Sequence, residues 1–228
     1  WNAFRTNVIF TAISVSLSLL TGFYLALLLD QQKWGRRFFR TIFMTPWPFL
    51  SVVVGINFYW MFHAKYGVIN LILSQIGIIH DYVSWLGNIK TVLPIIILAV
   101  VWKESPFFMI MILAGLQSIP QEQYDAAAVD GATSWQKFRY IILPNLKNII
   151  LISTMLEFIW KFREFDLVQV MTHGGPNRAT EVLAVLVYNY VFKFFRFGEG
   201  AAIAVLMGIF SIIFSLIYVR LLHKKDEK

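Results

Sequence analysis

Five runs of apolar residues, each long enough to cross a bilayer, limit what this chain can become. A spanning helix needs about 20 predominantly apolar residues. Runs of that order lie at about 7–29, 41–62, 91–116, 145–170 and 201–222, the second with Pro46 and Pro48 near its entrance. The chain is 58% hydrophobic and 14% charged, whereas a soluble domain is nearer 45–50% apolar. It therefore reads as an all-α integral membrane protein. With no cysteine, it has neither a disulfide framework nor a thiolate metal site. The +7 net charge reads as loop anchoring at a membrane rather than as a nucleic-acid surface. The first apolar run starts almost at Trp1, with no basic stretch before it and no small-residue cleavage site after it. It is not a signal peptide, and a further helix is expected N-terminal to it.

Loop charges set an expected orientation. Lys33, Arg36, Arg37, Arg40, Lys137, Arg139, Lys147, Arg220, Lys224, Lys225 and Lys228 fall on alternate sides of the spans from Arg5, Lys65, Lys90, Arg178, Lys193 and Arg196. The excess on the first side puts the loop at 119–143 and the C-terminus in the cytoplasm. Between the second and third runs, residues 67–79 are apolar but too short to span. They read as an interfacial helix, with Trp85 as an anchor.

The 119–143 loop is helix-prone. Pro120 suits a first turn and Glu122 and Asp125 suit a helix N-terminus. Ala126, Ala127 and Ala128 propagate the helix with little bulk. Gly131 can end it in a left-handed turn. A second short helix is expected over 134–141, capped by Thr133 or Ser134, with Pro144 opening the next span. The alternative is an ordinary amphipathic surface loop.

Two spans carry ionisable groups deep in their apolar runs. Lys103 and Glu104 stand about 12 residues into the third run, ~18 Å along a helix. Glu157 stands at a comparable depth in the fourth, sharing a face with Lys161 and Glu164. Pro106 should kink the third span near Trp102. Intramembrane charges are costly and face cavities or partners. Trp102, Lys103, Glu104, Glu157, Trp160, Lys161 and Glu164 are thus candidates for a solute pathway. An ion network that pairs the helices explains them equally well. The histidines at 63, 80, 173 and 223 lack metal-ligand spacing. The phosphate-loop motif of an ATPase is missing, as are the common hydrolase motifs.

A resemblance to a known family lies on the 119–144 stretch. An acidic residue, two alanines, three residues, glycine, nine residues and I-x-L-P fall on Asp125, Ala126, Ala127, Gly131, Ile141, Leu143 and Pro144. This resembles the coupling loop of permease subunits of ATP-binding cassette (ABC) importers. Asp125 stands where glutamate is commoner, one methylene shorter. Asn7 with Phe10-Thr11, Phe39-Arg40, Gly67-Val68-Ile69-Asn70, Leu113-Ala114-Gly115-Leu116-Gln117 and Gly198-Glu199-Gly200-Ala201-Ala202 resemble landmarks of the carbohydrate-uptake group. So do Thr172-His173-Gly174-Gly175-Pro176 and Thr180-Glu181.

The resemblance covers nearly the whole chain and implies a type I importer permease fold over 1–228. Five spans and cytoplasmic coupling helices are expected, with a coupling loop at 119–143 and an outer loop at 171–198. It implies a transport subunit rather than an enzyme, set in a bacterial or archaeal inner membrane. Its implied partners are a second homologous permease, two cytoplasmic ATPases that hold ATP and magnesium, an extracellular solute-binding protein and a carbohydrate substrate. Tyr124, Asp125, Ala126, Ala127, Asp130, Gly131 and Ala132 would couple to the ATPase. Gly174, Gly175, Pro176 and Asn177 would face the binding protein. The rival readings are an ABC permease for another solute class, a secondary transporter built on inverted repeats, and a membrane enzyme, for which no catalytic set is visible.

Overall fold

The computed structural model describes residues 1–32 and 34–223; Lys33, Lys224, Lys225 and Lys228, used in the charge count, lie outside them. The described residues form helices and no strand. In order these are α1 (Asn2–Gln31), α2 (Arg36–Met44), α3 (Ser51–Met61), α4 (Val68–Gln75), α5 (Ile89–Ser118), α6 (Gln121–Val129), α7 (Ser134–Lys137), α8 (Leu143–Phe162), α9 (Asp166–Thr172), α10 (Leu183–Tyr188) and α11 (Phe197–His223). Single π-turns at Phe138–Ile142 and Asn189–Lys193 follow α7 and α10.

Among the described residues four helices are long and apolar enough to cross a membrane: Asn2–Gln31, Ile89–Ser118, Ser134–Phe162 and Phe197–Tyr218. The second apolar run is not one continuous helix, as the sequence led us to expect. It is split into α2 and α3 by residues 45–50. Pro46 and Pro48 remove two donors from the helical ladder. Three-residue turns take over, with Thr45 N–H on the Ile42 carbonyl (3.2 Å), Trp47 on Met44 (3.2 Å) and Phe49 on Pro46 (3.3 Å).

The fourth run also differs at both ends. Its helix stops at Phe162, about eight residues early, and turns a corner through Arg163 and Glu164 into α9. A carboxylate makes that corner: Glu164 Oε1 accepts the Leu167 N–H at 3.3 Å in the first turn of α9. At the other end, α7 does not stop before Pro144. The π-turn, with Leu143 N–H on the Phe138 carbonyl, joins α7 to α8 in one helix, so Pro144 lies near the start of α8 and within a longer rod. The third span runs through both Pro94 and Pro106.

α1 lies along α5, and the sequence shows why once the contact is known. Ser14, Ser18, Gly22 and Ala26 recur every fourth residue and are all buried. Small residues at that spacing let helix backbones approach in a membrane, where packing replaces the hydrophobic drive. At Gly22 the approach is extreme: a β-carbon would lie 2.5 Å from the Ser105 carbonyl oxygen and 2.8 Å from the Met109 nitrogen. Asn7, fully buried, then ties three elements. Its amide donates to the Phe162 carbonyl (3.2 Å) and accepts from the Leu183 N–H (3.1 Å).

Two apolar clusters mark opposite ends of the bundle. One gathers Leu29, Leu116, Ile119 and Leu146 with Phe43, Tyr124 and Ile141. The other gathers Phe62, Val92, Leu167, Met171 and Val182 with Trp85. The 119–143 loop and the 172–181 loop therefore stand at opposite poles. α4, at eight residues, is too short to span, and Asn70 locks its connection. The Asn70 amide donates to the Ala64 and Val83 carbonyls (3.0 Å each) and accepts from Trp85 Nε1 (2.7 Å) and the Val83 N–H (3.3 Å).

Candidate functional site

Midway along the bundle, the third and fourth apolar runs contribute a buried ion network. Lys161 Nζ donates to Glu104 Oε1 at 2.9 Å and to Glu164 Oε2 at 2.7 Å. Lys103 Nζ reaches the same Glu104 oxygen at 2.9 Å. All four residues are at most 9% exposed. Neighbouring positions on α5 thus meet positions three apart on α8 and its corner, through 57 residues of intervening sequence.

The network forms one wall of a cavity of about 560 Å³. Trp47 from the α2–α3 break, Ser51 at the start of α3, Trp160, and Arg163, Phe165 and Asp166 from the corner and the start of α9 complete it. Phe107 lies between the two tryptophans, its ring 6.2 Å from Trp47 and 5.3 Å from Trp160. Arg163 and Asp166 are exposed in this chain. The cavity can offer charged hydrogen-bonding groups and flat aromatic faces to a polar solute.

Of the seven pathway candidates, Lys103, Glu104, Trp160, Lys161 and Glu164 line this cavity. Trp102 does not. It faces a separate, apolar cavity of about 480 Å³ with Asn57 and Phe58, its ring 5.8 Å from that of Phe58. Glu157, expected on the pathway wall, lies behind it. It is fully buried, and neither carboxyl oxygen has a hydrogen-bond partner. Glu157 and Lys161 share the buried face of α8 with Leu146 and Ser153, but Lys161 is one turn nearer the corner and reaches the cavity wall, whereas Trp160 stands on the adjoining, open side. Sequence reasoning missed Trp47, Ser51, Arg163, Phe165 and Asp166 as wall residues. The proline pair beside Trp47 was the available signal.

The 119–143 loop is ordered by its own chemistry. The Ala132 N–H bonds the Ala127 carbonyl (2.9 Å) and the Gly131 N–H bonds that of Ala128 (3.2 Å), with Gly131 at φ +69°. This is the double bond of a Schellman helix end. Thr133, rather than Ser134, caps α7 in a reciprocal box with Gln136, at 2.7 and 3.3 Å. Gln121 holds Asp125 (3.0 Å), and Asn145 on α8 holds Gln123 (3.0 Å). Tyr124 packs inward against the end cluster. Burial pushes its phenol above the ordinary value, and the Asp30 carboxylate adds to the shift. Asp125, Ala126, Asp130 and Gly131 are exposed, and Ala127 and Ala132 half-exposed. Beside them Val129, Trp135 and Tyr140 are 89%, 67% and 72% exposed. These large apolar groups on a polar loop were not singled out from the sequence. Their mark is apolar residues amid Asp and Gln.

At the opposite pole, Thr180 organises the glycine-rich loop. Its Oγ1 lies 2.7 Å from Thr172 Oγ1 and donates to the Gly175 carbonyl at 2.7 Å. Glu181, 6% exposed, pairs with Arg178 at 2.7 Å. Gly174 is buried, Gly175 and Pro176 half-buried, and Asn177 exposed. Among the described residues no group of three or more acidic or histidine side chains is placed to hold a metal.

An all-helical membrane bundle with a charged mid-depth cavity and an ordered helix-turn-helix at one pole defines a membrane permease. Residues 18–226 match the binding-protein-dependent transport system inner membrane component family, and the chain belongs to it. It is similar to the trehalose/maltose transport system permease of Thermococcus litoralis, 36% identical over 220 residues, covering 96% of this chain and 74% of that one. It is also similar to the diacetylchitobiose uptake permease of Streptomyces coelicolor, 34% identical over 230 residues, covering 100% and 70%. In fold it matches a chain of a bacterial ABC transporter that imports the acidic polysaccharide alginate. That match has a TM-score of 0.88 at 24% identity and covers 98% of this chain and 78% of that one. The family is one of inner-membrane transport subunits, not of enzymes.

Proposed function

We propose that this chain is one half of the translocation pathway of an ATP-driven carbohydrate importer. The observation that carries the reading is the mid-depth cavity. Charged residues that open toward lipid at this depth would cost several kcal/mol each, so Arg163, Asp166 and the adjoining network belong on a hydrated path shared with a second permease. The tryptophans and fixed hydrogen-bonding groups suit a sugar, the solute named for several relatives.

Coupling is assigned to Tyr124, Asp125, Ala126, Ala127, Asp130, Gly131 and Ala132. Val129, Trp135 and Tyr140 would give the ATPase an apolar contact. The domain assignment over 1–228 stands with this reading, with 119–143 cytoplasmic and 171–198 outside. ATP and magnesium would sit on two separate ATPase subunits. Gly174, Gly175, Pro176 and Asn177 would meet the solute-binding protein. The α10 helix within 171–198 makes that segment more than a loop.

The test is ATP-dependent uptake by the complete complex in proteoliposomes. Sugar accumulation should require ATP, the binding protein and an intact 119–143 loop. Uptake of an amino acid with no uptake of any sugar would refute the carbohydrate assignment. Crosslinks from Asn177 to the ATPase, with none to the binding protein, would refute the orientation.

A further inference from the structure

We propose that α2 is a binding site for anionic phospholipid, lying in the leaflet at the 119–143 pole with its arginines on the lipid phosphates. Such a site serves whichever solute the chain carries. α1 turns polar at its end, with Asp30 and Gln31, and α2 begins at Arg36. Trp34, between them, is 90% exposed, as an interfacial anchor would be. The far end of α2 is fixed to the bundle, because Phe43 and Met44 pack into the cluster that holds Leu29, Leu116 and Ile119. The helix is therefore held at the depth where α1 ends, at the boundary between hydrocarbon and water.

The two sides of α2 differ in chemistry. At about 3.6 residues per turn, Arg36, Arg37 and Arg40 fall within about 100° of arc, with Phe38, Phe39 and Ile42 on the far side. No residue of α2 is fully buried. Phe38 is 65% exposed, and Phe39 and Ile42 are exposed as well. At a membrane boundary such a helix lays its apolar side into the acyl layer and its basic side among the headgroups.

The arginines are not all occupied. Arg36 is held by Asp30 at 3.1 Å. Arg37 and Arg40 are exposed, and among the described residues their guanidinium groups have no acidic partner. A guanidinium matches the paired oxygens of a phosphate. One lipid can then satisfy both sides of α2, its phosphate on Arg37 or Arg40 and its chains against Phe38 and Ile42. A protein partner would have to place carboxylates and an apolar surface in the same register, whereas a leaflet presents both layers along the whole helix. An anionic headgroup is favoured because a basic segment is drawn to net negative surface charge, which a zwitterionic lipid lacks.

The experiment uses the complete complex of this chain, its partner permease and both ATPases, carrying Phe38→benzoylphenylalanine. It is reconstituted in nanodiscs of phosphatidylglycerol and phosphatidylcholine in equal amounts. Ultraviolet light attaches whatever lies against position 38, and mass spectrometry identifies it. We expect phosphatidylglycerol adducts to exceed phosphatidylcholine adducts roughly fivefold or more, about what one arginine near an anionic surface contributes. The excess should fall in high salt, as screening requires. Adding Arg37→Gln and Arg40→Gln should bring the two adducts level, in a complex that still elutes intact from size-exclusion chromatography. Equal adducts before those changes, an excess that high salt leaves unchanged, or an excess that survives loss of both arginines overturns the proposal. Attachment to another subunit in place of lipid also overturns it, and makes this side of α2 a protein interface.

Discussion

Replacing Lys161 with methionine tests whether the ion network holds the bundle together. Lys161 is 4% exposed and donates to two buried carboxylates, Glu104 at 2.9 Å and Glu164 at 2.7 Å. Methionine keeps the side chain as far as Cε but removes the ammonium. Glu104 keeps Lys103, whereas Glu164 loses its ion partner. Breaking a buried pair from one side typically costs about 3–5 kcal/mol, because the remaining charge is stranded. Domains of 150–250 residues shift by roughly 2–4 °C per kcal/mol, so the thermal midpoint should fall by about 6–20 °C. Adding Glu164→Gln removes the stranded charge and should restore more than half of the loss. The assay is thermal stability of the detergent-purified complex by size-exclusion chromatography, read with sugar uptake for both variants. A Lys161→Met midpoint within about 2 °C of wild type refutes a structural role for the pairs. Recovered stability in the double variant without recovered uptake separates the network's work in transport from its work in folding.

Gly22→Ala places a β-carbon 2.5 Å from a backbone oxygen, about 0.9 Å inside ordinary contact. α1 and α5 must separate, at about 1–3 kcal/mol, visible as a lowered thermal midpoint; an unchanged midpoint refutes the packing. Ala127→Trp should leave the midpoint unchanged, because the site is half-exposed in this chain, yet lower sugar-stimulated ATPase activity at least tenfold. Full stimulation argues against docking there. Gly131→Pro removes a Schellman donor and imposes the wrong φ; transport should uncouple from hydrolysis while the spans still insert, and wild-type transport counts against the coupling turn. Asn70→Ala orphans Trp85 Nε1–H and the Val83 N–H. At about 1–3 kcal/mol per buried donor, hydrogen exchange in residues 64–85 should accelerate; unchanged protection refutes the lock.

Much of the molecule was legible in the chain itself. The apolar runs located α1, α5, α8 and α11, because hydropathy reports directly on transfer from water to hydrocarbon. The α6 turn was legible too: alanines, a left-handed glycine and a threonine cap act through bonds between near neighbours. The charges at 103, 104, 157, 161 and 164 announced something costly at mid-depth. Their division of labour was not legible. Lys161 and Glu157 both lie on the buried side of α8, and only the packing of α5 against that side decides that Lys161 reaches Glu104 while Glu157, one turn away, is left without a hydrogen-bond partner. The break at 45–50 and the corner at 163–165 escaped because an average of hydropathy is blind to backbone continuity. The closeness of Gly22 to Ser105 is a distance between helices. Periodic small residues permit such an approach, but only the packed bundle selects the partner, since in a membrane the choice rests on shape and on bonds between separate segments.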